Sequence, residues 1–318
     1  MSTTSTGAPV RTAMPPELRH KGAYRRLMAR IGWGFSAPAL IVIAAVTIFP
    51  VVFSVVMSFG NVNVLGSGFQ IDGFTLSNYG IVFTSPLWQY ALLFTVGYTV
   101  VTVIVELVLG TLIALVLEKL GAARGWMMAM LLVPWSLITV ISATLWDYIY
   151  DPTYGAADAI FQALGLGSPV ILGSPVSAII AMMIADIWKT TPFVAIIVLA
   201  GLVMLPKDVF EAAEMDGSNG WKTFWRVTLP LLRPTIALAV LFRILQAFGV
   251  FDLPFVLTGG GPQNSTTSLA MLGYQVMFTD LKFGPGAAVA VTTAALVVIG
   301  CLVFLKVFRS QVSENEGD

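Results

Sequence analysis

The chain has 318 residues, of which 57% are hydrophobic and 11% are charged, and its formal net charge is zero. An ordinary soluble domain carries about 25% charged residues, so this composition excludes a water-soluble globule and indicates an integral membrane protein. The single cysteine, Cys301, and the single histidine, His20, exclude an internal disulfide, a cysteine or histidine metal cluster and a Ser-His-Asp triad. We therefore expect this chain to hold no catalytic residue, no metal and no cofactor.

Six segments contain the roughly 20 apolar residues that a helix needs to cross a bilayer. In chain order they are Phe35–Phe59, Tyr90–Leu117, Trp126–Tyr148, Val176–Leu205, Leu231–Leu257 and Gly286–Phe308. They predict an all-α integral membrane fold, with a transmembrane domain over residues 35–308. Residues 1–34 are predicted to be an N-terminal tail with a short surface helix over Glu17–Gly34, and residues 309–318 to be a C-terminal tail.

The basic residues predict the orientation, because the cytoplasmic loops of membrane proteins hold most of the Lys and Arg. Fourteen of the 17 basic residues lie in the N-terminal segment, the loops after the second and fourth segments, and the C-terminal tail. Of the remaining three, Lys282 lies in an outer loop, while Lys189 and Arg243 fall within spans. The pattern predicts an even number of spans, with both termini in the cytoplasm.

The loop between the fourth and fifth segments, residues 206–230, does not look like a simple connector. Pro206 suits the first turn of a helix and Asp216-Gly217 suits its end, so a short helix is predicted over Lys207–Met215. A second helical piece, Trp221–Val227, leads into the fifth segment. This pattern fits a helix that docks on another protein, and it fits an amphipathic helix lying on lipid equally well.

The same loop carries a spaced motif: Glu211-Ala212-Ala213, three residues, Gly217, nine residues, then Val227-Thr228-Leu229-Pro230. This motif resembles the EAA loop of permease subunits of binding-protein-dependent ABC importers, although Val227 stands where the family often has Ile. The resemblance implies the type I importer permease fold and a second permease subunit. It also implies an extracytoplasmic solute-binding protein and two ATPase subunits, which bind ATP and Mg. The residues that would contact the ATPase are Glu211, Ala212, Ala213, Asp216 and Gly217.

No phosphate-binding loop occurs in this chain, because the nearest string, Gly217–Thr223, has the wrong spacing. The chain is therefore predicted not to be an enzyme itself, and its energy must come from a partner or from an ion gradient. Nothing in the sequence points to nucleic acid as a partner.

Charged and aromatic residues inside the fourth and fifth segments suggest a solute pathway, because intramembrane charges are costly and usually face a cavity or a partner. The candidates are Asp186, Trp188, Lys189, Thr190, Phe193, Gln246, Phe248 and Asp252. A purely structural reading stays open, in which Asp186 pairs with Lys189 on one helix face, and Glu106 and Arg243 brace helices. Each aromatic ring alone is more simply explained by helix packing.

A further resemblance, to the carbohydrate class and the maltose permease group, lies in Pro192-Phe193, Phe248–Phe251 and Thr258-Gly259-Gly260-Gly261-Pro262. It implies a sugar as the solute, with a disaccharide favoured and trehalose as the first choice. Two positions depart from that group, since Ile187 and Gly249 stand where it has polar Asn side chains. The glycine-rich loop would lie outside, where a solute-binding protein could dock.

Two other functions stay open at this stage. A stand-alone ion-coupled transporter could use Asp186, Lys189 and Asp252, but no inverted half is visible in the six segments. A membrane enzyme or scaffold would need a catalytic cluster, and the sequence shows only scattered acids.

Overall fold

The computed structural model describes residues 16–65 and 68–314, and the chain forms two units, one up to Ser54 and one from Val55. The described part of the first unit is a stretch of helix α1, Pro16–Ser58, which has 43 residues and no break. The separate surface helix predicted over Glu17–Gly34 is therefore wrong. The two glycines near its end lower helix propensity, but neither adopts the positive φ that would end a helix.

The second unit contains twelve further α-helices and one hairpin in its described residues. In chain order they are β1 (Gly60–Leu65), β2 (Gly68–Phe74), α2 (Ser77–Thr84), α3 (Pro86–Lys119), α4 (Arg124–Ser136), α5 (Thr139–Tyr150), α6 (Ala156–Ala163), α7 (Pro175–Val203), α8 (Lys207–Met215), α9 (Gly220–Thr223), α10 (Leu229–Phe248), α11 (Asp252–Leu257), α12 (Leu269–Tyr274) and α13 (Phe283–Glu314). Strands β1 and β2 pair antiparallel, with Val62 opposite Ile71. This hairpin, in the loop after the first span, was not predicted.

Within the described residues, five helical stretches are long and apolar enough to cross a membrane, and one bent pair makes a sixth when it is counted as a single span. The five are Met28–Ser58, Pro86–Lys119, Pro175–Val203, Gly220–Phe248 and Phe283–Lys306. They and the bent pair correspond one to one to the six predicted segments.

The third span is the bent pair, and its prediction as one helix over Trp126–Tyr148 is wrong. Helices α4 and α5 meet at an angle of 89°. Pro134 lies in the last turn of α4, where it lacks a backbone N–H and its ring crowds the carbonyl four residues earlier. The chain then adopts extended dihedrals at Leu137 and Ile138 before α5 begins.

The fifth span also differs from its prediction, because α10 ends at Phe248 and not at Leu257. A separate short helix, α11, begins at Asp252, so Pro254 is its third residue. The first four N–H groups of a helix have no partner within it, and Pro254 is tolerated there, whereas it would break the hydrogen bonds of a longer α10.

The buried core of the second unit lies among α3, α7 and α10. Helices α3 and α7 approach closely at Gly110, where an added Cβ atom would lie 2.8 Å from a side-chain carbon of Val194. Glycine is therefore required at this crossing. The side chains of Leu117, Val198 and Leu232 belong to one buried cluster that joins the three helices.

The glycine-rich loop after α11 is only partly exposed. Gly259, Gln263 and Asn264 are exposed, whereas the four residues Ser265–Ser268 are at most 4% exposed. The Tyr90 hydroxyl of α3 donates to the Ser265 carbonyl oxygen at 3.0 Å. The second half of this loop therefore packs on α3, whereas docking of a solute-binding protein at the Gly-Gly-Gly-Pro stretch before it stays a prediction.

Candidate functional site

Helix α8 forms over the predicted residues, Lys207–Met215. Pro206 was expected in the first turn of this helix. It instead has extended dihedrals and lies just before the helix begins. At the other end Gly217 has φ +71°, and two backbone bonds of 3.0 Å close the helix: Gly217 N–H to the Glu214 carbonyl and Ser218 N–H to the Ala213 carbonyl. This Schellman motif gives α8 a fixed end, and a residue with a side chain would be strained at Gly217.

No residue of α8 is buried. Glu211, Ala212, Asp216 and Gly217 are exposed, and Ala213 is half-buried. Met215, a large apolar side chain, is 88% exposed. A helix with a defined end and an uncovered apolar residue offers a preformed surface for another macromolecule.

An open cavity of about 1020 Å³ lies between α8 and the end of α3. Its lining includes Leu115 and Glu118 of α3, Phe210 and Glu214 of α8, and Phe224 after α9. The cavity separates part of α8 from the end of α3, and along the chain α8 is joined to α7 on one side and, through α9, to α10 on the other.

The second candidate site is a buried polar cluster that joins α3, α7 and α10. Arg243 of α10 donates from Nη2 to Glu106 Oε1 at 2.7 Å and to Asp186 Oδ2 at 3.0 Å. Its Nε also donates to Glu106 Oε2. Glu106 is 0% and Arg243 is 2% exposed, so one guanidinium bridges carboxylates from two other helices at a site largely away from water.

Two uncharged side chains complete the cluster. The Thr190 hydroxyl lies 2.5 Å from Glu106 Oε1 and 2.6 Å from the Asp186 carbonyl oxygen. Arg243 Nη1 donates to Gln246 Oε1 at 3.1 Å. Asp186 is the most accessible of the three charged groups, with its side chain 13% exposed, so it is the carboxylate that a polar solute could reach.

The structure brings together only some of the predicted pathway residues. Asp186, Thr190 and Gln246 meet in the cluster, but Asp186 pairs with Arg243 and not with Lys189, so the ion pair within one helix is wrong. The Lys189 ammonium has no carboxylate within 4 Å in the described part of the chain, although Asp186 and Asp252 act on it electrostatically.

The predicted aromatic residues lie in three different places. Trp188 makes an edge contact with Trp146 at 5.7 Å, and Phe193 stacks on Trp135 at 5.5 Å. Phe248 is buried in a cluster with Leu269 and other residues of the last helices, and Asp252 is exposed at the start of α11. These contacts give the rings packing roles, as the simpler reading expected.

Sequence reasoning counted Glu106 and Arg243 among the intramembrane charges but favoured a bracing role for them and left them out of the candidate pathway. They do brace helices, and they also hold Asp186, Thr190 and Gln246 in place. Their presence among the few intramembrane charges was the signal that could have found them. In the part of the chain that the structure describes, no group of three His, Cys, Asp or Glu residues could hold a metal ion.

Comparison with known proteins now adds to this geometry. The family of binding-protein-dependent transport system inner membrane components matches residues 121–310. The trehalose/maltose transport system permease protein MalF of Thermococcus litoralis is 40% identical over 234 residues, covering 74% of this chain and 79% of that protein. The trehalose transport system permease protein SugA of Mycobacterium tuberculosis is 33% identical over 287 residues, covering 90% of this chain and 91% of that protein.

Among solved structures, a bacterial ABC transporter involved in the import of the acidic polysaccharide alginate has a similar chain, with a TM-score of 0.79. The match covers 92% of this chain and 99% of that chain, at 19% sequence identity, and therefore bears on the fold alone. It confirms the predicted type I importer permease fold. The chain belongs to the inner membrane components of binding-protein-dependent transport systems, as a permease subunit of the carbohydrate class of ABC importers.

Proposed function

We propose that this chain forms one half of the pore of an ATP-driven sugar importer, with both termini in the cytoplasm. A second permease subunit supplies the other half, two ATPase subunits bind ATP and Mg, and an extracytoplasmic protein delivers the solute. The uncovered helix α8 carries this proposal, because its end is fixed by backbone hydrogen bonds and none of its residues is buried, which leaves a preformed surface free for a partner. The family to which the chain belongs depends on binding proteins, which supports the delivery step.

In this mechanism α8 seats in a groove of one ATPase subunit. Glu211 offers a carboxylate to a donor on that subunit, and the small side chains of Ala212 and Ala213 allow close approach. Asp216 and Gly217 close the helix, so its end keeps one shape while the ATPase moves. Closure of the two ATPases around ATP then pulls on α7 and α10, and the pore alternates between outward and inward access.

The solute pathway in this proposal is centred on Asp186, Thr190 and Gln246, with Lys189 beside them. These groups donate and accept hydrogen bonds, as the many hydroxyls of a sugar require. Trp188 and Phe193 line the approach or support it by packing. Phe248 and Asp252, at the end of α10 and the start of α11, line the pathway at that level. Trehalose stays the first solute to test, because two similar permeases are named for its transport.

The test is uptake into proteoliposomes. The chain is reconstituted with the second permease and the ATPase, and entry of radiolabelled trehalose is followed in the presence of its binding protein and ATP. The proposal expects uptake that needs every component. Uptake by this chain alone under an ion gradient would instead support a secondary transporter, which the family membership does not favour. Uptake of other sugars but not of trehalose would refute only the choice of solute.

A further inference from the structure

The turn between α8 and α10 has a surface that the ATPase contact does not use. Helix α10 has 20 residues, Leu229–Phe248, which at 1.5 Å per residue span about 30 Å. This length equals the hydrocarbon thickness of a typical bilayer. The membrane-crossing stretch Gly220–Phe248 is nine residues longer than α10, so an α10 that fills the hydrocarbon core would place Gly220–Thr228 at the level of the lipid headgroups.

Two tryptophans of this segment are largely exposed, and Trp221 also lies at the edge of the open cavity beside α8. Trp221 is 73% and Trp225 is 51% exposed, and their rings meet at 5.7 Å in an edge contact, one helical turn apart. The π-helical turn Phe224–Thr228 carries this face into α10. Tryptophan is enriched where a membrane meets water, because its ring is apolar and its N–H donates a hydrogen bond.

Three exposed cations accompany the rings: Lys222, Arg226 and Arg233. None of them forms an ion pair within the described residues, and no Asp or Glu occurs between Gly217 and Phe251. Helix α8 is different, since its segment Lys207–Asp216 holds four acids and one lysine. The two halves of the loop therefore carry opposite charge and suit different partners.

We infer that Trp221, Lys222, Trp225, Arg226 and Arg233, here called the anchor face, bind anionic phospholipid headgroups at the cytoplasmic surface of the membrane. The cations contact the phosphates and the rings lie among the glycerol groups. This contact holds one end of the inner loop at the membrane while α8 moves with the ATPase. The competing occupant of the anchor face is the ATPase. It would have to present acidic groups to the three cations here, whereas α8 would need basic groups.

The first test uses the full chain alone, in vesicles of phosphatidylcholine and phosphatidylglycerol brominated near the headgroup end of the acyl chains. Bromine quenches only tryptophans at its own depth. The double variant Trp221→Phe/Trp225→Phe removes two of the eight tryptophans, so the quenchable fraction should fall by up to about a quarter. Trp88→Phe is the matched control, because Trp88 is buried and its loss should leave the quenched intensity unchanged.

The second test measures lipid selectivity with spin-labelled phosphatidylglycerol and phosphatidylcholine. Each cation near a membrane surface should favour the anionic lipid about fivefold at this site, so the triple variant Lys222→Gln/Arg226→Gln/Arg233→Gln should lose most of the selectivity. Lys282→Gln is the control, because Asp280 lies 4.0 Å from that ammonium and already offsets its charge.

Unchanged selectivity in the triple variant would overturn the inference, provided that the variant still inserts and keeps the wild-type quenching of its other tryptophans. A second outcome would also overturn the inference: bromine does not quench the two rings in vesicles, and the rings become shielded when ATPase subunits are added. The anchor face would then belong to the ATPase contact. Neither readout needs transport, so the inference can fail while the importer proposal stands, and the reverse also holds.

Discussion

The inner loop and the buried polar cluster handle charge in opposite ways. The loop keeps its charges exposed and separates them along the chain, with acids on α8 and cations on the anchor face. The cluster buries its charges and pairs them across three helices through Arg243. Exposed, separated charges suit contacts that must form and break with other molecules, whereas buried pairs fix the geometry of a single chain. The charges of the loop are thus free for contacts with other molecules, whereas the buried pairs of the cluster hold three helices together.

The strongest test of this comparison is to remove Arg243, the cation that the two buried carboxylates share. Arg243→Met leaves the carboxylates of Glu106 and Asp186 without their partner, and breaking a buried pair in this way costs about 3–5 kcal/mol. We expect a lower melting temperature in detergent and loss of uptake. The double variant Arg243→Met/Glu106→Gln should recover part of the stability, because one charge fewer is left unpaired. Arg233→Gln, on an exposed cation, is the control and should melt like the wild type.

The next largest effect should come from the end of α8. Gly217→Val places a β-branched residue at φ +71°, which costs about 1–2 kcal/mol and distorts the helix end. We expect loss of uptake and of solute-stimulated ATPase activity, with normal insertion and an unchanged melting temperature of the transmembrane core. Transport at the wild-type rate would contradict the coupling role. Gly125→Val is a suitable control, because Gly125 has no neighbouring atom near its added Cβ and no positive φ.

A reversal of charge on α8 tests whether its exposed acids contact the ATPase. Glu211→Lys should abolish coupling if the carboxylate meets a donor on the ATPase. Glu211→Gln should weaken it by about fivefold, because the amide oxygen still accepts the hydrogen bond but lacks the charge that strengthens it by about 1 kcal/mol. Co-purification of the ATPase measures the contact directly. If both variants retained the ATPase and its stimulation, the coupling helix would have to bind through its apolar residues.

A milder test asks whether the cluster also serves the solute. Thr190→Val keeps the shape of the side chain but removes its hydroxyl, which lies 2.5 Å from Glu106 Oε1. We expect that about ten times more solute is needed for half-maximal stimulation of the ATPase, with the complex still assembled. Thr190→Ser should behave like the wild type. Loss of assembly in the valine variant would instead assign Thr190 to packing.

The smallest effect is expected at Lys189, whose ammonium has no carboxylate within 4 Å in the described residues. Lys189→Gln should change the melting temperature little, because no ion pair is broken. If Lys189 lines the pathway, solute stimulation should weaken by a few fold, about 1 kcal/mol. A large loss of stability would show that the lysine acts within the cluster after all.

Local signals predicted the inner loop well. Proline, acids and glycine at the right spacing predicted the bounds of α8 from its own residues, and hydropathy predicted the number of spans. The bend after Pro134 and the break after Phe248 were missed, because hydropathy counts apolar side chains and does not register where backbone hydrogen bonds stop. Both breaks lie near a proline that could have revealed them.

The pairing within the cluster could not be predicted from the sequence. Asp186 had a cation three residues away on its own helix, yet its partner is Arg243, 57 residues along the chain. Glu106 and Arg243 are 137 residues apart. Only the packing of α3, α7 and α10 decides which of the intramembrane charges meet.

The close approach at Gly110 has a consequence for movement. Where α3 and α7 touch, the Val194 side chain fills the space that a side chain at position 110 would occupy, so any sliding or rolling of one helix against the other has to repack this contact. We therefore expect rearrangements of the helices to use the breaks between α4 and α5 and between α10 and α11 before they separate α3 from α7.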